Sequence, residues 1–111
     1  MTLIVPLTEV YIMTVKAALH ALSEFFSATV AAMPNMTFNS HEFLRTLSKD
    51  HQREYIEALY TYRDNQYPFK DLHGDLMSRL AASGSVEYTR NRESSKDTFG
   101  IPQQVPVWKK R

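Results

Sequence analysis

The apolar positions fall into two regimes that meet at Met33-Pro34-Asn35-Met36. Ahead of this point the chain is rich in Ala, Val, Leu and Phe; beyond it the chain is polar with regular helix punctuation. From Thr8 to Met33 the period is helical. Ile12, Val15, Leu19, Leu22, Phe26, Thr29 and Met33 alternate spacings of three and four, as in an a/d seam. Tyr11, Ala18 and Phe25 widen that face. Thr8 suits an N-cap, and Glu9 lies in the first turn, where the helix dipole favours negative charge. Pro34 and Asn35 form a stop and linker.

A helix this apolar needs a cover, either the rest of the chain or a second copy. We expect a homodimer through residues 10–33, with Ile12, Val15, Leu19, Leu22, Phe26 and Met33 as contacts. A membrane span is disfavoured, because Lys16 and Glu24 would each cost roughly 2.5–3.5 kcal/mol near the bilayer centre. A secretory leader is disfavoured by the lack of a basic stretch before the apolar run. Residues 1–35 are thus an apolar helix, a dimerisation element or an extension outside the working protein. Residues 36–111 are read as a domain that can stand alone.

In that domain, Asn39 caps a helix with Glu42 three residues on, as in a capping box. Phe43, Leu44 and Leu47 give its stripe, so it covers about 40–48. Ser48 caps a following helix over about 49–63, carrying Tyr55, Ile56, Leu59 and Tyr60. Asp64 to Tyr67 break the pattern, and Pro68 fits the first turn of a helix over 68–82 built on Phe69, Leu72, Leu76, Met77 and Leu80. Gly74 lies inside it, costing roughly 1 kcal/mol against Ala, and Gly84 suits a left-handed turn at its end. The period then becomes two. Val86 to Arg90 reads as a strand, Asn91 to Gln104 as a polar loop, and Val105 to Trp108 as a strand that Pro106 confines to an edge. Phe99 and Trp108 are the expected anchors into the core.

Helix, helix, short turn, helix, strand, loop, strand is the order of a helix-turn-helix followed by a hairpin. Over residues 37–111 it resembles the winged-helix domain in order, length and spacing. The fold expected is mainly α with a small β-hairpin (α+β), preceded by the long N-terminal helix. The resemblance makes 68–82 the recognition helix and 91–104 the wing.

Hydrophobic residues make up 43%, close to the globular average, so 111 residues support one ordinary core. Cys is 0, which excludes a disulfide framework, a thiolate metal site and a cysteine nucleophile, and fits a cytoplasmic protein. The net charge of +1 hides an asymmetry. Residues 88–111 carry Arg90, Arg92, Lys96, Lys109, Lys110 and Arg111 against Glu93 and Asp97, a local excess of four positive charges.

That excess points to phosphate, because cationic side chains release the counterions condensed on nucleic acid. Candidate nucleic-acid contacts are Tyr67, Lys70, His73 and Arg79 on or beside the recognition helix. Arg90, Arg92, Lys96, Lys109, Lys110 and Arg111 add those of the wing and tail. Asp71 and Asp75 offset Lys70 and Arg79, so the helix face is neutral and suits a protein partner equally well. Tyr55, Tyr60 and Tyr62 are read as a core edge. His20, His41, His51 and His73 fall at no metal-binding spacing, and no nucleophile elbow or phosphate-cradling glycine loop is present. No enzyme activity, metal or cofactor is expected. The function expected is a small DNA-associated regulator of transcription or of a mobile element. The alternative is an interaction module that regulates or inhibits a protein partner.

Overall fold

The computed structural model describes residues 7–111, with side chains from Val15 onward. The element order is α1 (Leu7–Ser23), α2 (Phe26–Ala32), β1 (Thr37–Asn39), α3 (Ser40–Asp50), α4 (Gln52–Thr61), α5 (Pro68–Ala82), β2 (Val86–Lys96) and β3 (Pro102–Lys110). The strands form one antiparallel sheet in the order β1-β3-β2. The fold is α+β and compatible with a winged-helix-like arrangement. Among the described residues, no helix is long and apolar enough to cross a membrane.

The expected single helix over 8–33 is broken after Ser23. The Ser23 hydroxyl donates to Leu19 O at 2.7 Å, a back-bond that bends helices, and Phe25 N reaches Leu22 O in a tightened last turn. Phe25 then stacks on His51 at 3.8 Å, joining this break to the junction between α3 and α4. The bend turns Phe26, Val30 and Met33 into the same core that Leu19 and Leu22 enter from α1. Leu19, Leu22, Phe26 and Met33, expected as dimer contacts, are buried in the chain's own core with residues of α3, α4 and α5. Val15 is half-buried against the same cluster, and the Ile12 side chain lies outside the described ones. One core therefore spans both sides of residue 35.

The capping box of α3 forms as expected. Glu42 N donates to Asn39 Oδ1 at 2.9 Å, and Asn39 N donates to Glu42 Oε1 at 3.3 Å. Asn39 Nδ2 also donates to Glu93 Oε1 at 2.7 Å, tying this cap to β2. Asn39→Ala is expected to cost about 1–2 kcal/mol, the upper part of the range for a lost cap. A urea midpoint shift equivalent to a few tenths of a kcal/mol would show the tie to be idle.

The next two helices shift from their expected bounds. Ser48 does not cap α4. It lies inside α3, and its hydroxyl donates to Arg45 O, while the break falls at His51. The tyrosines divide. Tyr62 is buried and donates to Asp75 Oδ2 at 2.5 Å, Tyr55 is half-buried, and Tyr60 is exposed beneath the Arg63 guanidinium. α5 matches its expected bounds, with Leu72, Leu76 and Leu80 fully buried, and Gly84 takes φ +80° after it.

The sheet departs most from expectation. β1 was unexpected; its three residues pair with Val107, Trp108 and Lys109. β3 is consequently the central strand, which corrects the edge assignment of Pro106. The proline is tolerated because β1 pairs no further than Val107, so at Pro106 the strand has only β2 as a neighbour. The expected loop over 91–104 is mostly paired ribbon, since β2 reaches Lys96 and β3 starts at Pro102. Trp108 is buried, its Nε1 donating to Ser40 Oγ at 2.9 Å, whereas Phe99 is 67% exposed and does not anchor the core.

Candidate functional site

The ribbon carries a bulge near its base. Tyr88 faces Trp108 and Arg92 faces Pro106, so three residues of β2 oppose one of β3. Arg90 takes φ +66°, a left-handed conformation uncommon for a side chain of its size. Thr89 steadies the bulge, donating to Val107 O at 2.8 Å and accepting from Asn91 N at 3.1 Å. A bulge bends its strand and increases its twist. At the far end Asp97 organises the turn, its Oδ1 accepting from both Phe99 N and Ile101 N at 2.9 Å. Gly100 completes the turn at φ +79°. The tip lies against α5, with Phe99 edge-on to Phe69 at 5.2 Å.

Between this ribbon, the first turns of α5 and the start of α3 runs a groove of about 650 Å³. Tyr67, Lys70 and Gly74 line it from the α5 side, and Arg92, Gln103 and Gln104 from the ribbon. The Lys70 ammonium lies 5.9 Å from the centre of the Tyr67 ring. Arg92 donates to Gln104 O at 2.6 Å, which holds its guanidinium along the ribbon. An adjoining recess of about 340 Å³ is lined by Arg45, Ser48, Tyr55, His73 and Lys96.

His73 forms part of the wall between the two spaces. Its Nε2 is 2.8 Å from the Tyr55 hydroxyl. Burial lowers its pKa to about 4, His41 adds to the lowering, and Asp97 opposes it. Burial pushes Tyr55 up to about 12. His73 is thus a neutral hydrogen-bonding group near pH 7, not a cation. Because the folded pKa lies below the ordinary 6.5, the unfolded chain binds the proton more readily between these values. Stability from this group is present above pH 6.5 and lost as pH falls toward 4. The thermal midpoint is expected to drop over that window, and His73→Gln, which keeps a polar partner for Tyr55, should flatten the drop. An unchanged profile in the variant would remove His73 as its source.

The groove gathers Tyr67, Lys70, His73 and Arg92 from the expected contacts, and Lys96 lines the recess. The others lie elsewhere. Arg79 reaches Ser23 Oγ of α1 at 3.5 Å, and Arg90 is exposed on the bulge. Lys109 faces Thr37 and Glu87 in the sheet. Lys110 caps α2, its Nζ donating to Met33 O at 2.6 Å and Ala31 O at 3.4 Å. Arg111 N donates to Ser85 O at the opposite end of the sheet from the ribbon tip. The carboxylates that neutralised the helix face also turn out of the groove. Asp71 accepts from Asn65, and Asp75 from Tyr62. Sequence reasoning missed Arg45, Phe69, Gln103 and Gln104; the paired glutamines were visible but read as loop polarity.

The geometry alone carries the functional reading, since no protein-family model, no curated protein and no solved structure matches this chain.

Proposed function

We propose that the protein is a winged-helix-type regulator that binds duplex DNA through the groove between α5 and the β2–β3 wing. One observation carries this reading. Lys70 of α5 and Arg92 of the wing line a common groove, while Asp71 and Asp75 are engaged elsewhere. A phosphate strand passing between helix and wing meets both cations, with Lys96 and Arg45 next to it in the recess. α5 then lies along the major groove from its N-terminal end, the usual entry of a recognition helix. Contacts of this kind position the protein without reading sequence.

The test is binding of the full chain to a random duplex of about 20 base pairs across a salt series. Affinity is expected to fall steeply with salt, as counterion release requires. Absence of binding at low salt, or binding indifferent to salt, would overturn the reading. A second reading, an interaction module for a protein partner, is favoured by the exposed Tyr67, Phe99 and Ile101 near the groove and wing tip. Such a partner would bind with little salt dependence and lose affinity when these apolar side chains are made polar.

A further inference from the structure

We infer that the groove between α5 and the wing holds one unpaired nucleobase, so that the protein prefers a duplex carrying an unpaired nucleotide over a fully paired one. The inference rests on the duplex reading above and adds to it the class of DNA recognised. Size is the first reason. A volume of about 650 Å³ belongs to the range of small-molecule sites, well beyond what a phosphate contact requires.

The lining chemistry is the second reason. Tyr67 and Phe99 are 58% and 67% exposed, although large aromatic side chains gain from burial. Every base offers a π-face on which such rings stack without regard to sequence. Gln104 adds a carboxamide, donor and acceptor together, which matches the polar edge of a base. Charge also fits a nucleotide. Lys70 and Arg92 suit its phosphate, and Asp97 is the one carboxylate among the described lining residues. The oxygens of Asp97 already accept from Phe99 N, Ile101 N and Gln103 Nε2.

Gly74 is the third reason. Glycine inside a helix is unfavourable, and a Cβ built here would meet nothing within 4 Å. Among the described residues no neighbour requires glycine at this position, yet the residue lines the groove. Close approach of a ligand to the helix backbone accounts for it.

The experiment compares a fully paired duplex with the same duplex carrying one extra 2-aminopurine nucleotide in a bulge, both titrated with the full-length protein. The bulged duplex is expected to bind about tenfold more tightly, the effect of one stacked base, with quenching of 2-aminopurine emission. Phe99→Ser should reduce this preference while leaving affinity for the paired duplex within about twofold, and Tyr67→Ser should reduce the preference as well. Gly74→Ala should raise the thermal midpoint yet weaken the preference; because it stabilises the fold, a loss there cannot come from unfolding. Equal affinity for the two duplexes, or a preference untouched by all three variants, would overturn the inference and leave the duplex reading standing. Binding of neither duplex would overturn both.

Discussion

A chain beginning at Met36 is expected to lose its cooperative unfolding transition. The truncation removes Leu19, Leu22, Phe26, Val30 and Met33, all buried in the common core. Burying one such side chain is worth roughly 1.5–3 kcal/mol, and small domains hold only about 5–15 kcal/mol of net stability. Losing five together exhausts that margin, and Phe43 and Leu47 on the facing α3 would be left without cover from α2. Phe26→Ala is the graded version. Phe26 meets Phe43 edge-on at 5.3 Å with its side chain fully buried, so the substitution should cost about 3–5 kcal/mol. Thermal and urea unfolding of both variants decide the matter. A truncated chain that melts as sharply as the parent would show that α1 and α2 are dispensable to the fold.

The double charge reversal Lys70→Glu with Arg92→Glu is expected to produce the largest loss of duplex affinity. Each substitution replaces a groove-lining cation with an anion, so attraction for phosphate would be lost and repulsion added. The slope of log affinity against log salt should become shallower by about 0.9 for each phosphate contact removed. Affinity at low salt should fall by tenfold or more, on the order of 1.4 kcal/mol for each factor of ten. Both side chains are exposed, so circular dichroism and the thermal midpoint should change little. Arg79→Glu with Lys109→Glu is the control matched in net charge, because Arg79 reaches toward α1, Lys109 lies in the sheet opposite Thr37 and Glu87, and neither lines the groove. Equal losses in control and double variant would mean that net charge, not the groove, governs binding.

The candidate site was only partly legible in the sequence. Lys70 and Arg92 were recognisable as cations on α5 and on the β2–β3 ribbon, and Tyr67 as a residue at the head of α5. That these belong together, while Arg79, Lys109 and Lys110 face other parts of the molecule, could not be read from charge. The basic C-terminal end looked like one patch. In the folded chain its members divide between the groove side, the opposite end of the sheet and the carbonyls of α2, because the antiparallel register puts Arg92 and Lys96 toward the ribbon tip and Lys109 and Lys110 at its base, where neighbouring residues on a strand point to opposite faces.

Signals confined to a few consecutive residues were decisive by themselves. The Asn39–Glu42 capping box, Pro68 at the start of α5 and Gly84 beyond its end set their elements correctly, because partner and backbone lie within one turn of each other. The spacing of Leu19, Leu22, Phe26 and Met33 likewise declared an apolar face. The tertiary structure alone decided what covers that face. It also decided that Thr37–Asn39 is a strand, that Pro106 can sit in a central strand, and that Lys110 serves α2 from 77 residues away. Each of these depends on a partner distant in sequence: three residues have no stable strand until β3 supplies the hydrogen bonds, and an apolar seam fits a second copy or its own chain equally well until the bend after Ser23 turns it inward.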